Sequence, residues 1–394
     1  MSIIDDSNKY VLNTYNRYPF VFDHGEDVWL YTEDGKKYLD MCSGLAVSSL
    51  GHNHPSLIKA IQEQSNKILH TSNLYYTKPY ADLAKKLVTR SVFDKVFFCN
   101  SGAEANETAI KITRKHGKNI EFKAKYEVIT LNNSFHGRTM ATLSATGQKK
   151  YQKGFEPLLE GFVFVEMNNN EELKKAVNSR TAAIIIEPIQ GEGGIRPAFF
   201  DFIETARKLC DEYNALLIFD EVQSGIGRTG KLFGYENFLP IEPDIITIAK
   251  GLGGGLPIGA VLIKEKFAEL LKPGEHASTF GANPVCCAAA NAVLDTIDKE
   301  GILKNVKNFG EYFRNKLDKL KEKYNCIKEV RGMGLLNGIE LKIKANDLIE
   351  KLFEKDIITV PAGTNVVRFI PPLIVKKEHI DIVITALDEV LKKI

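Results

Sequence analysis

Between residues 95 and 263 the sequence alternates short apolar runs with segments of helical pattern, and nothing else in the chain restricts its fold so strongly. The runs are 95–99, 126–131, 162–165, 182–187, 215–220, 244–249 and 259–263. Helical patterning fills 104–116, 171–178 and 199–213 between them. A strand covered on both faces reads as an unbroken apolar stretch, and strands joined through helices run parallel. The pattern predicts an α/β fold with a mostly parallel seven-stranded sheet.

The C-terminal residues follow a different rule. Ile302, Val306, Phe309, Phe313, Leu317 and Leu320 recur at helical spacing with charges between them, which predicts an amphipathic helix. Strand-like stretches at 335–343, near 358 and at 366–370 alternate with a short helix near 346–354 and a last helix from 379. This is an α+β pattern, and short strand pieces at 28–32 and 37–40 suit pairing with it. The expected division is an N-terminal segment, 1–45, packing with the small unit, then a large α/β domain, 46–285, and a small α+β domain, 286–394.

Composition serves mainly to exclude. Lys plus Arg total 52 against 50 for Asp plus Glu, a net charge of +2. That lacks the basic excess of a nucleic-acid-binding surface. The uncharged stretch 41–58 is interrupted by Ser, Asn, His and Pro, and 251–263 is too short to span a bilayer. The opening MSIIDDSNKY has neither a basic n-region nor an apolar h-region, so no signal peptide is expected. The six cysteines, at 42, 99, 210, 286, 287 and 326, form no C-x-x-C, which fits a reducing compartment. The expectation is a cytoplasmic, soluble protein with no nucleic-acid or membrane partner.

In open parallel sheets, ligands bind beyond the carboxyl ends of the strands, and polar residues mark four such ends here. In 96–107, VFFCNSGAEANE, Ser101, Gly102 and Ala103 open a helix after Cys99. Small residues there let backbone N–H groups approach a phosphate. The same residues also read as a Ser N-cap with Glu104 in a capping box. In 215–223, ALLIFDEVQ, Asp220 closes an apolar strand. A buried carboxylate needs a partner, which a cation, a metal, a protonated ring nitrogen or a cap N–H would supply. In 244–257, DIITIAKGLGGGLP, Lys250 leaves a strand for a Gly-rich loop. A desolvated lysine has a lowered pKa and suits Schiff-base chemistry; a lysine snorkelling to the surface is the plainer alternative. In 134–139, SFHGRT, Phe135 and Arg138 follow a strand. They read as a lid for a flat ring and a fork for a carboxylate, or as a solvated loop. A phosphate nest, a ring-nitrogen carboxylate, a Schiff-base lysine and a stacking ring together make the parts list for pyridoxal phosphate.

With these residues in view, the chain resembles the class III pyridoxal-phosphate aminotransferases, most closely their acetylornithine branch. The matching stretches are GLAVSSLGHNHP (44–55), NSGAEANETAIK (100–111), FHGRT (135–139), EPIQGEGG (187–194), DEVQSGIGRTG (220–230), AKGLGGGLPIGA (249–260), STFGANPV (278–285) and RFIPPL (368–373). They lie in order along almost the whole chain. The resemblance implies fold type I of the pyridoxal-phosphate-dependent transferases. It also implies roles. Lys250 would bond the cofactor covalently, and Asp220 would hold its ring nitrogen. Ser101, Gly102 and Ala103 would receive its phosphate. Phe135 would stack on the ring, with Glu221, Val222 and Gln223 completing the cofactor site. Thr279, beside Ser278, resembles a segment donated by a second copy, so the site would be completed in a homodimer. Arg138 would grip the carboxylate of an acylated diamine, Arg368 the α-carboxylate of glutamate, and Glu192 would cover Arg368 in the first half-reaction. The implied substrates are N-acetylornithine and 2-oxoglutarate, the latter leaving as glutamate. Gly44 stands where ornithine aminotransferases carry a tyrosine, which leaves room for an acyl group. Ornithine, N-succinyl diamines such as succinyl-diaminopimelate, and 4-aminobutyrate stand as alternative donors, and an aminomutase as an alternative reaction.

Two rival motifs are weaker. Gly225-Ile-Gly-Arg-Thr-Gly230 matches the dinucleotide fingerprint of an NAD-dependent oxidoreductase. Residues 220–224 separate it from the strand, and Gly234 and Pro240 spoil the helix that should follow. His52 and His54 have no third ligand nearby and read as structural, so no metal is expected.

Overall fold

The structure, a computed structural model, describes residues 2–118 and 125–393. Its central sheet has seven strands: β1 (Lys95–Cys99), β2 (Glu127–Leu131), β3 (Phe162–Val165), β4 (Thr181–Ile186), β5 (Leu216–Asp220), β6 (Ile245–Ile248) and β7 (Gly259–Ile263). Their spatial order is β1-β7-β6-β5-β4-β2-β3. Strand β7 is antiparallel to both neighbours, and the other pairings are parallel.

The apolar runs become strands because both faces are covered. Successive side chains point to opposite faces, and the core divides accordingly. Ile184, Ile186, Leu217, Phe219, Ile246 and Ile248 join one cluster. Ala183, Ile185, Leu216, Ile218 and Ile245 join the other. Each fully buried Ile or Leu contributes roughly 1.5–3 kcal/mol. Helix α1 (Gly102–Lys118) covers one face and places its N-terminus at the end of β1.

The C-terminal pattern also appears, with one addition. Helix α2 (Pro284–Lys299) is followed by α3 (Ile302–Lys323), α4 (Ala345–Phe353) and α5 (Lys377–Leu391). An antiparallel sheet joins Ile327–Met333, Leu336–Leu341, Val366–Phe369 and Val360–Pro361 in that order. Sequence reading misses Ile327–Met333. This is an edge strand whose Lys328, Glu329 and Arg331 break up the apolar signal. Near the N-terminus, Phe22–Glu26, Trp29–Thr32 and Lys37–Asp40 form a sheet with Ile357–Ile358, which pairs in parallel with Lys37–Asp40.

The expected break between residues 285 and 286 falls inside α2. Asn283 caps that helix, accepting from Val285 and Cys286 N–H. The helix packs on Pro55–Ser65 and Lys78–Val88, burying Val293, Leu294 and Ile297. We propose that the large unit extends to Lys299. Among the described residues, no helix is long and apolar enough to cross a membrane.

Candidate active site

The carboxyl ends of β1, β2, β4, β5 and β6 converge on a cavity of about 450 Å³. Ser101, Gly102, Ala103, Phe135, Arg138, Glu192, Asp220, Val222, Gln223 and Lys250 all line it. They come from separate strand ends, so only the sheet order brings them together.

At the end of β1, the Ser-Gly-Ala turn forms the cap, and its geometry is compatible with the phosphate reading. Ser101 Oγ accepts from Glu104 N–H at 3.2 Å, and Glu104 reaches back to Asn100 N–H at 2.7 Å. The side chains cap the helix, which leaves the backbone of Gly102 and Ala103 facing the cavity. A Cβ on Gly102 would lie 2.6 Å from Val222 Cγ1, so only glycine fits there. An anion at this point meets the positive end of a 17-residue helix.

Asp220 is the hub of a buried network. Its Oδ2 accepts from Asn106 Nδ2 and pairs with His136 Nδ1, both at 2.7 Å. Its Oδ1 accepts from Val222 N–H at 3.0 Å. Thr247 Oγ1 in turn donates to Asn106 Oδ1 at 2.7 Å. Burial works against charging His136, but the bond to Asp220 outweighs it and the imidazole pKa is raised. His136 Nε2 is buried without a partner. Glu187 lies beside this network and lines the cavity; it accepts from Phe135 N–H at 3.1 Å and Gly191 N–H at 3.4 Å. Burial pushes its pKa up to about 8.

Lys250 sits at a φ of 41° just past β6, a left-handed turn that lifts its side chain into the cavity. Burial lowers its pKa, against the attraction of Glu192 and Asp220. A buried amine with a lowered pKa and a carboxylate across the cavity fit the Schiff-base and ring-nitrogen roles that pyridoxal phosphate requires.

Arg368 and Glu192 form an ion pair of 2.5 Å at the cavity edge, and Arg368 Nη1 also donates to Gln223 Oε1 at 3.1 Å. Burial opposes ionisation of Glu192, but Arg368 and Lys250 hold its pKa below the usual carboxylate value. Arg368 Nε is buried without a partner. A Cβ on Gly191 would lie 2.3 Å from Gln223 Oε1, so glycine lets this loop close on Gln223. Arg138 is held differently, over aromatic rings (below).

Five expected site residues lie outside the cavity lining, Arg368 among them although its partner Glu192 lines it. Glu221 follows Asp220 directly, yet its carboxylate turns away and accepts from Gly234 and Tyr235 N–H. It clamps the turn after β5 and does not line the cavity. Replacing Glu221 with alanine strands two buried N–H groups, each worth about 1–3 kcal/mol. The denaturation midpoint should fall while the folded fraction keeps its cofactor affinity; weakened cofactor binding would restore Glu221 to the site. Ser278 Oγ accepts from Asn100 Nδ2 at 3.0 Å, and Thr279 is exposed. Gly44 is also exposed, within a run of positive φ from Ser43 to Ala46, while Val47 from the same turn lines the cavity.

Sequence reading gave no role to Asn106, His136 or Glu187. The available signal was a polar Asn one helical turn after Gly102, on the face that meets the sheet. The rival motifs also resolve. Residues 225–230 form turns leading to a short 3-10 helix, Gly234–Phe238, and not to the long helix a dinucleotide site needs. His52 pairs with Asp40 at 2.9 Å and His54 with Glu300 at 3.4 Å.

Comparison with known proteins agrees with this geometry. The family model for aminotransferase class-III matches residues 10–391. The chain belongs to the class III aminotransferases. It is 51% identical over 393 residues to the acetylornithine aminotransferase of Methanocaldococcus jannaschii, covering 99% of this chain and 98% of that one. The N-acetylornithine aminotransferase structure from Stenotrophomonas maltophilia superposes with a TM-score of 0.85 at 34% identity, covering 99% of each chain. An ornithine aminotransferase structure from Toxoplasma gondii, with partial occupancy of PLP at its active site, gives a TM-score of 0.94 at 33% identity, covering 99% of this chain and 93% of that one.

Proposed function

We propose that the chain transfers an amino group from N2-acetyl-L-ornithine to 2-oxoglutarate with pyridoxal phosphate, yielding N-acetyl-L-glutamate 5-semialdehyde and L-glutamate, a step of arginine biosynthesis. The observation that carries the reading is the convergence of Lys250, Asp220 and Glu192 on one cavity, with Arg368 paired to Glu192 behind its lining. The relatives named above support the choice of donor.

The bound cofactor supplies an electron sink for the carbon that bears the amine. The Ser101–Ala103 turn would hold its phosphate, Asp220 its ring nitrogen and Phe135 one face. Lys250 Nζ, which burial favours in its neutral form, takes a proton from the amine-bearing carbon and later returns one. Arg138 binds the donor's carboxylate. Glu192 screens Arg368 until a dicarboxylate displaces it; an uncovered buried arginine is costly, so the pair reopens only for a matching charge. The exposed Thr279, beside the half-buried Ser278, suits donation to a second copy, and we place the active form as a cytoplasmic homodimer.

The test is the visible spectrum of the loaded protein mixed with N-acetylornithine, ornithine or 4-aminobutyrate and no keto acid. Fastest bleaching with N-acetylornithine supports the reading. Bleaching by another amine alone keeps the chemistry and removes this donor.

Gly44 gives a narrower prediction. At its φ of 60° any side chain is strained, so Gly44→Ala serves as the backbone control for Gly44→Tyr. Relative to that control, the tyrosine variant should turn over N-acetylornithine about tenfold more slowly by crowding the acyl group. Equal rates would remove the argument from Gly44.

A further inference from the structure

We propose that Tyr151 is the positioning residue that aims Arg138 into the cavity, and thereby a determinant of which amine donor is accepted. The proposal rests on the reading of Arg138 as the grip for the donor's carboxylate.

Arg138, which lines the cavity, and Arg368, paired to the lining residue Glu192, are fixed in different ways. Glu192 holds Arg368 by an ion pair, which consumes part of its N–H fork. What holds Arg138 is aromatic. Its Cζ lies 4.1 Å from the centroid of the Tyr151 ring and 5.6 Å from that of Phe135. The Tyr151 and Phe135 rings meet edge to face, 5.7 Å apart at 82°. A guanidinium within about 6 Å of a ring face is attracted by the ring quadrupole. Its N–H groups lie in its own plane, so stacking occupies the face and leaves the edge free for a carboxylate. An aromatic ring therefore suits an arginine that must be oriented yet uncommitted.

The ring itself is anchored. Tyr151 lies in the short helix Lys149–Gln152. Gln148 Nε2 donates to Ser134 O at 3.1 Å, and Gln152 Nε2 to Thr146 O at 2.9 Å. The turn bearing Tyr151 is thus tied to the segment bearing Phe135 and Arg138. Neither ring needs to be in the cavity for this. Tyr151 does not line it, whereas Phe135 and Arg138 do.

The test uses loaded enzyme carrying Tyr151→Leu, Tyr151→Phe or Arg138→Lys. The KM and kcat are measured for N-acetylornithine and, separately, for 2-oxoglutarate. Circular dichroism of the cofactor band reports the site without turnover. Tyr151→Leu should raise the KM for N-acetylornithine about three- to thirtyfold. The KM for 2-oxoglutarate and the dichroism should stay within about twofold of wild type, because Arg368 is held by Glu192 and not by this ring. Tyr151→Phe keeps the ring and should behave as wild type. If Tyr151→Leu does not fold, Tyr151→Met, with similar bulk and no ring, carries the same expectation. If Arg138→Lys leaves the N-acetylornithine KM unchanged, the reading of Arg138 itself fails. If Arg138→Lys raises it but Tyr151→Leu does not, the inference about Tyr151 alone is overturned. Equal rises in both KM values, or a phenylalanine variant as impaired as leucine, would overturn it too.

Discussion

Lys250→Ala should yield a folded protein that retains no covalently bound cofactor and turns over amine donors at least about a thousandfold more slowly, since on the proposed function it removes both the attachment point and the acid–base group. Gel filtration followed by a visible spectrum checks the first part, and steady-state assay the second. The effect should be confined to chemistry. Lys250 is buried and its pKa is lowered by that burial, so the folded state disfavours its charge. With the folded pKa below the unfolded one, protonation costs stability at every pH below the unfolded value. Removing the amine relieves that cost. The cofactor-free variant should therefore melt no lower than the cofactor-free parent. Full activity in Lys250→Ala would end the Schiff-base assignment.

Asp220→Asn is the second large effect. His136 Nδ1 and Asn106 Nδ2 both meet Oδ2, and Val222 N–H donates to Oδ1. An asparagine placed here must turn its NH2 toward one of these donors whichever way it flips. The mismatch should cost about 1–3 kcal/mol of stability. The larger loss is electrostatic. On the proposed function the carboxylate would hold positive charge on the cofactor's ring nitrogen, and without it turnover should fall about a hundred- to a thousandfold. The cofactor should still bind through Lys250 and the helix N-terminus. A variant with normal turnover would show that Asp220 is only a structural hub.

These two residues are legible in the sequence, and the reason is local. A carboxylate or an amine at the end of a run of Ile, Leu and Phe is costly unless something pairs with it, so its presence advertises a site. The central strands were legible for a similar reason, since burial on both faces leaves unbroken apolar runs. Where those conditions lapse, the reading weakens. Ile327–Met333 is an edge strand and carries charges that a central strand would not tolerate. The break expected after residue 285 lies where the pattern changes. The chain there is already committed to α2, whose apolar face packs on the large unit.

The amino-acid sequence by itself determined the order of elements, the α/β class and the identity of Lys250 and Asp220 as chemical candidates. These follow from hydrophobic period and from the cost of burying charge, both of which are properties of short windows. Tertiary structure alone decided which neighbours share the cavity. Asp220 and Glu221 are adjacent and both acidic, yet one faces the cavity and the other clamps Gly234 and Tyr235. It also decided the partners of Asp220, since Asn106 lies 114 residues away along the chain and His136 lies 84. Sheet order, β1-β7-β6-β5-β4-β2-β3, is what brings those residues within hydrogen-bond reach. That order results from how whole elements pack and is not written in any single window of sequence.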